Sequence, residues 1–172
     1  MISEAEAFAT KKHEGQMRKF EPQPYIVHPK RVAEIVRKFK QSHKINELIA
    51  AALLHDTLED TDTNEQELER LFGKLIASLV KQLGSDKEKI KEKGKKEYLA
   101  EKMSDPEQMD SWALVIKLAD RLDNVSDLDY AKPEFAKRYK EETNYILDAI
   151  EKKRKLSETQ KKLIKAIRRK FI

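Results

Sequence analysis

The apolar stretch Ala51-Ala52-Leu53-Leu54 runs straight into a histidine–aspartate doublet, His55-Asp56, and a second acidic pair, Glu59-Asp60, follows four residues later. Adjacent His and Asp at a helix end can offer one imidazole nitrogen and one carboxylate oxygen to the same metal ion. Residues four apart share a helical face, so a helix continuing through the doublet would bring Glu59 near His55 and Asp60 near Asp56. Alone, the same letters also describe a core helix that ends in a solvated acidic turn.

Two distant segments supply what the doublet lacks. Pro24-Tyr25-Ile26-Val27-His28-Pro29 places a histidine just before a helix, with Pro29 suited to its first turn. Val115-Ile116-Lys117-Leu118-Ala119-Asp120-Arg121-Leu122-Asp123-Asn124 sets an acid into an apolar helical run. A carboxylate buried there needs a cation. Lys117 and Arg121 are the local candidates, and Arg121 is the poorer one because adjacent residues diverge around a helix. His28, His55, Asp56 and Asp120 together make a mixed nitrogen–oxygen set for a divalent ion of borderline to hard character. Such an ion acidifies a bound water and polarises a phosphoryl oxygen.

The elements that must position these residues read as helices throughout. Ser3 with Glu6 forms a capping-box signature for a first helix ending near Gly15. The loop from Gly15 to Pro24 carries Arg18 and Lys19. A helix from about Pro29 to Lys40 shows Val32, Ile35, Val36 and Phe39 on one face, and the next runs from Ile45 into the doublet. Thr63 with Gln66 is expected to cap another, closed by Gly73, and Leu75 to Leu83 forms a short one stopped by Gly84. Residues 85–104 are rich in Lys and Glu and interrupted by Gly94, a pattern open to a surface helix or a lid over the site. The Asp120 helix is expected to begin near Pro106, and Pro133 and the Ser157/Gln160 pair to open two final helices. There is no alternating strand pattern and no internal repeat. The fold class is all-α, a helical bundle with the site built between helices.

Composition narrows the function. The 172 residues fit one domain with a real core, and four glycines, five prolines and 39% charged residues suit a helical protein. With no cysteine, thiolate metal sites and disulfides are excluded and a reducing, cytoplasmic setting is expected. No apolar run approaches a membrane span and no signal-peptide pattern opens the chain, so no membrane partner is expected. Net charge is +5, but residues 131–172 hold fourteen Lys and Arg against six Asp and Glu. Their interleaving with Leu156, Leu163, Ile164, Ile167 and Phe171 describes an amphipathic docking helix. No aromatic stacking platform accompanies it, so nucleic acid is not an expected partner. Oligomeric state is not legible.

The motifs His13-x-x-Gln16-x-Arg18-Lys19, Pro24-Tyr25-Ile26-x-His28-Pro29, Ala51-Ala52-Leu53-Leu54-His55-Asp56-Thr57-x-Glu59-Asp60-Thr61 and Lys117-Leu118-Ala119-Asp120-Arg121-Leu122-x-Asn124 stand in one order and spacing. In this the chain resembles the HD-domain hydrolases of the Rel/SpoT type, in particular the small single-domain alarmone hydrolases, including the metazoan SpoT-like enzymes. The likeness runs from about residue 4 to the C-terminus and implies a single HD-type phosphohydrolase domain over residues 1–172. It implies manganese held by His28, His55, Asp56 and Asp120, though zinc, iron and magnesium remain open on the ligand types. Glu59 and Asp60 are implied as the pair that activates water or protonates the leaving oxygen, since neighbouring acids push their pKa values apart. Asn124 matches an asparagine at the reacting region and the substrate. Arg18 and Lys19 match the basic pair at the nucleotide, where a guanidinium stacks or grips phosphate and a lysine acts as a point charge.

The implied activity removes the 3′-diphosphate of guanosine 3′,5′-bis(diphosphate) (ppGpp, or pppGpp), giving GDP or GTP and pyrophosphate. Synthetase and regulatory domains are expected to be absent. Two alternatives stand beside it: a phosphatase of NADPH or deoxynucleotides on the same site, and a non-catalytic nucleotide-binding HD module. Tyr25 reads as packing the loop, His13 as structural or supporting, and His43 as a surface residue. Phe20-Glu21-Pro22-Gln23 departs from the Gly-containing turn usual at this point, which puts base specificity in doubt.

Overall fold

The computed structural model describes all 172 residues, Met1–Ile172. It is all-helical, and its only extended pairing is an isolated bridge between Met17 and Pro24. The chain divides into two compact units, Met1–Gly84 and Ser85–Ile172.

In the first unit, α3 (Ile45–Leu54) is the central element, and every residue from Leu48 to Leu54 is buried. A helix apolar on all sides must be enclosed, and α1 (Ile2–Lys12), α2 (Val27–Phe39) and α6 (Lys74–Leu83) pack around it. From α2 come Val32, Ala33 and Val36, and from α6 Ile76, Ala77, Leu79, Val80 and Leu83. The one-turn α4 (Thr57–Asp60) follows α3, and α5 (Glu65–Phe72) packs on α6.

Several expected helix ends are corrected. Helix α1 starts at Ile2 with no side-chain cap, so Ser3 lies inside the helix and the Ser3/Glu6 capping box does not form. Helix α5 is capped by Asn64, which accepts from the Glu67 N–H, because the Thr63 hydroxyl is engaged with the Thr61 hydroxyl at 2.7 Å. Gly73 then closes α5 with φ 86°, a left-handed conformation open to glycine.

In the second unit, α7 (Lys87–Lys93) buries nothing, whereas α8 (Lys95–Ser104) buries Tyr98, Leu99, Ala100, Met103 and Ser104 against α10 (Pro133–Lys153). The surface-helix-or-lid segment is therefore two helices split at Gly94, and its second half is core. Helix α9 (Ser111–Ser126) begins five residues later than Pro106 suggested, because Pro106 lies in a turn and Asp110 caps the N–H groups of Trp112 and Ala113. The Arg154 guanidinium holds that turn by donating to the carbonyls of Met103 and Met109 at 3.0 and 2.9 Å. A 3-10 turn (Leu128–Tyr130) leads to α10, which opens with Pro133 as expected. The Ser157/Gln160 capping box is present at α11 (Glu158–Arg169), and Leu163, Ile164 and Ile167 dock this helix on α9.

Candidate metal centre and substrate loop

The site begins with an interruption. Helix α3 stops at Leu54, His55 and Asp56 form a turn, and α4 restarts at Thr57, so the doublet does not lie inside one continuous helix. Local side chains take up the carbonyls freed by the break. Thr57 Oγ1 donates to Leu54 O at 2.8 Å, and His55 Nδ1 donates to Ala52 O at 2.7 Å. A carbonyl only accepts, so His55 carries its proton on Nδ1 and presents a lone pair at Nε2.

That lone pair faces Asp56 Oδ2 at 2.8 Å, and His28 Nε2 lies 3.7 Å from the same oxygen. The His28 and His55 rings meet edge to face at 5.1 Å. One donor atom from each of His28, His55 and Asp56 falls within 4.8 Å of the others, with both imidazoles buried. So close an approach to a carboxylate is favourable only with a cation between the two atoms, either a second imidazole proton or a metal ion. The donor set and its buried setting thus fit a divalent ion, with nitrogen and oxygen ligands of the kind such ions take.

Asp56 is the N-cap residue of α4, a position where a carboxylate normally accepts from the helix backbone. Here it makes no side-chain cap. Instead it receives the Tyr25 hydroxyl at 2.6 Å. Tyr25 in turn packs on the His13 ring at 4.9 Å and lies under the Arg18 guanidinium at 5.8 Å. Tyr25 was expected only to pack the loop; it also orients a metal-ligand candidate. Its position one helical turn before His28 was the available signal.

Glu59 and Asp60 are exposed at the end of α4. The Asp60 carboxyl is raised above its ordinary range, first by partial desolvation and then by the negative charges of Asp56 and Glu59. Lys19 sits over Phe20 at 5.2 Å, while Arg18 turns to Tyr25. The departing loop is tied to α2: Arg31 donates to Glu21 at 3.4 Å and Gln23 at 3.3 Å, and Gln23 donates to Glu21 at 2.7 Å. His43 is exposed, as expected.

The fourth ligand candidate belongs to the second unit. Asp120 is buried on α9, receives Lys117 Nζ at 2.9 Å and receives Asn124 Nδ2 at 2.7 Å. Arg121 points elsewhere, to Glu142 at 3.2 Å, Thr143 at 3.3 Å and the face of Tyr139 at 4.7 Å.

A family model described as HD domain matches residues 5–156. The chain belongs to the HD-domain family. Guanosine-3′,5′-bis(diphosphate) 3′-pyrophosphohydrolase MESH1 of Danio rerio is 38% identical over 135 residues, spanning 78% of this chain and 72% of that protein. The guanosine-3′,5′-bis(diphosphate) 3′-pyrophosphohydrolase of Aquifex aeolicus is 40% identical over 151 residues, covering 84% of this chain but 20% of the relative. This HD-domain protein therefore spans about a fifth of the length of the larger relatives it matches. A solved structure of a metazoan ortholog of SpoT that hydrolyses ppGpp aligns over 98% of this chain and 94% of its own, with TM-score 0.76 and 28% identity. These likenesses place the chain in the SpoT-like branch of the family. No helix is long and apolar enough to cross a membrane.

Proposed function

We propose that the protein is a metal-dependent pyrophosphohydrolase that removes the 3′-diphosphate of ppGpp or pppGpp. The observation that carries this reading is the convergence of His28, His55 and Asp56 within 4.8 Å, beside an exposed acidic pair, in a chain whose relatives bear that activity in their names. His28, His55 and Asp56 would hold the ion, with Asp120 as fourth ligand on the strength of its motif. Manganese is the ion proposed. It would supply an acidified water and a polarised phosphoryl oxygen.

Cleaving the bond between phosphorus and the ribose 3′-oxygen requires one group to take a proton from water and another to give one to the departing oxygen. Glu59 and Asp60 are assigned these roles. The raised pKa of Asp60 suits it to carry the proton that is given. Asn124 is assigned to the reacting end of the substrate, and Arg18 and Lys19 to the base and the outward 5′-diphosphate.

The test is kcat/KM for ppGpp, NADPH and deoxyguanosine triphosphate with manganese, for wild type and Arg18→Ala. Preference for ppGpp is expected. Arg18→Ala should cut it by about one to two decades, the worth of a charge-assisted contact, with metal content unchanged. Preference for either other nucleotide would replace the alarmone reading. Turnover of none would favour a nucleotide-binding module.

A further inference from the structure

We infer that Gln16, a residue with no part in the metal set or the basic pair, is the positioning residue that fixes the acidic pair relative to the metal centre. Helix α4 is four residues long and cannot hold its shape alone, since a single helical turn is below the length at which a helix is stable. Its N–H groups at Glu59 and Asp60 both return to Asp56 O, at 3.2 and 2.9 Å. Two hydroxyls brace it from within the same stretch of chain: Thr57 to Leu54 O at 2.8 Å and Thr61 to Thr57 O at 2.6 Å. Gln16 reaches it from the connection between α1 and α2, donating from Nε2 to Asp60 O at 2.9 Å.

That bond fixes the orientation of the amide. With Nε2 spent on a carbonyl, Oε1 faces His13 Nδ1 at 2.8 Å and accepts from it. The backbone of Gln16 is equally committed, its N–H to His13 O at 3.0 Å and its carbonyl to the Tyr25 N–H at 2.8 Å. One residue thus joins the end of α1, the segment carrying the Asp56-bound Tyr25, and the carbonyl of Asp60. Lys12 also reaches across from α1, to Asp62 at 2.8 Å and Glu67 at 3.4 Å, but both partners lie beyond the end of α4, so neither bond holds Asp60 itself. A misplacement of about 1 Å at a reacting group can cost 10²-fold in rate, so a clamp on the Asp60 backbone acts on turnover through the acids.

The kinetic consequence rests on the hydrolase reading above, whereas the clamp itself is readable in the metal-free protein. In Gln16→Met, amide exchange of residues 57–61 should rise by about tenfold while the rest of the first unit exchanges as in wild type. On manganese-loaded protein, kcat for ppGpp should fall by roughly 10- to 100-fold, with KM and bound metal unchanged. In a background carrying both Glu59→Gln and Asp60→Asn, the same substitution should cost little more, because the groups it positions are gone. Gln16→Glu keeps the bond from His13 and loses the one to Asp60 O, so it should reproduce the exchange effect and decides the matter should Gln16→Met unfold. Wild-type exchange in residues 57–61, or an undiminished kcat penalty in the background lacking both acids, would overturn the inference. Failure of wild type to hydrolyse ppGpp would fall on the activity alone, leaving the exchange measurement to judge the clamp.

Discussion

Asp56 stands where a side chain normally serves its own helix, yet its carboxylate is turned away from the α4 backbone toward Tyr25, His28 and His55. A carboxylate diverted from capping in this way gives up a contribution to helix stability and is turned instead toward the proposed ligand set. The division of labour at the site follows from it. Asp56→Asn, and by the motif assignment Asp120→Asn, should lose both the ion and turnover, while Glu59→Gln and Asp60→Asn should keep the ion and lose about 10²–10⁴-fold in rate. Elemental analysis beside a ppGpp assay separates the two classes. Wild-type metal content in Asp120→Asn would remove it from the ligand set, and metal loss in either acid variant would move that residue into it.

The elements were legible where a residue type admits one use, and misread where two neighbours competed for it. His28, His55 and Asp56 were legible as candidates from their motifs, and the structure brings one donor atom of each within 4.8 Å of the others. The Pro133 start and the Ser157/Gln160 box stand at the helix ends they signal, whereas Pro106 and the Ser3/Glu6 pair, signals of the same types, do not, because Asp110 caps α9 and Ser3 lies inside α1. The start of α5 was misread, because Thr63 and Asn64 are both capping types and the choice depends on Thr61 engaging the Thr63 hydroxyl. Asn64→Ala should therefore destabilise the protein by about 0.5–2 kcal/mol in a denaturant melt. A negligible effect would return the cap to Thr63. The interruption after Leu54 was equally hidden, since Leu-His-Asp-Thr-Leu contains no glycine or proline. The break is accompanied by side-chain bonds from His55 and Thr57 to the carbonyls of Ala52 and Leu54, which helix propensity does not announce.

At the scale of the molecule, tyrosine and tryptophan are unevenly shared. The single tryptophan, Trp112, and four of the five tyrosines belong to the second unit, in the segment from 85 to 172, and the first unit holds Tyr25 alone. That one phenol donates to Asp56 at 2.6 Å. Any cation drawing on Asp56 must repolarise the phenol hydrogen bond, and with it the near-ultraviolet absorption of the ring. The metal centre therefore carries a chromophore of its own. Titrating manganese into the metal-free protein should give a saturable tyrosine difference spectrum that Tyr25→Phe abolishes. Because a supporting partner of a ligand typically accounts for 10- to 100-fold in metal affinity, the ion should still bind that variant, at about that much higher concentration and without the optical signal.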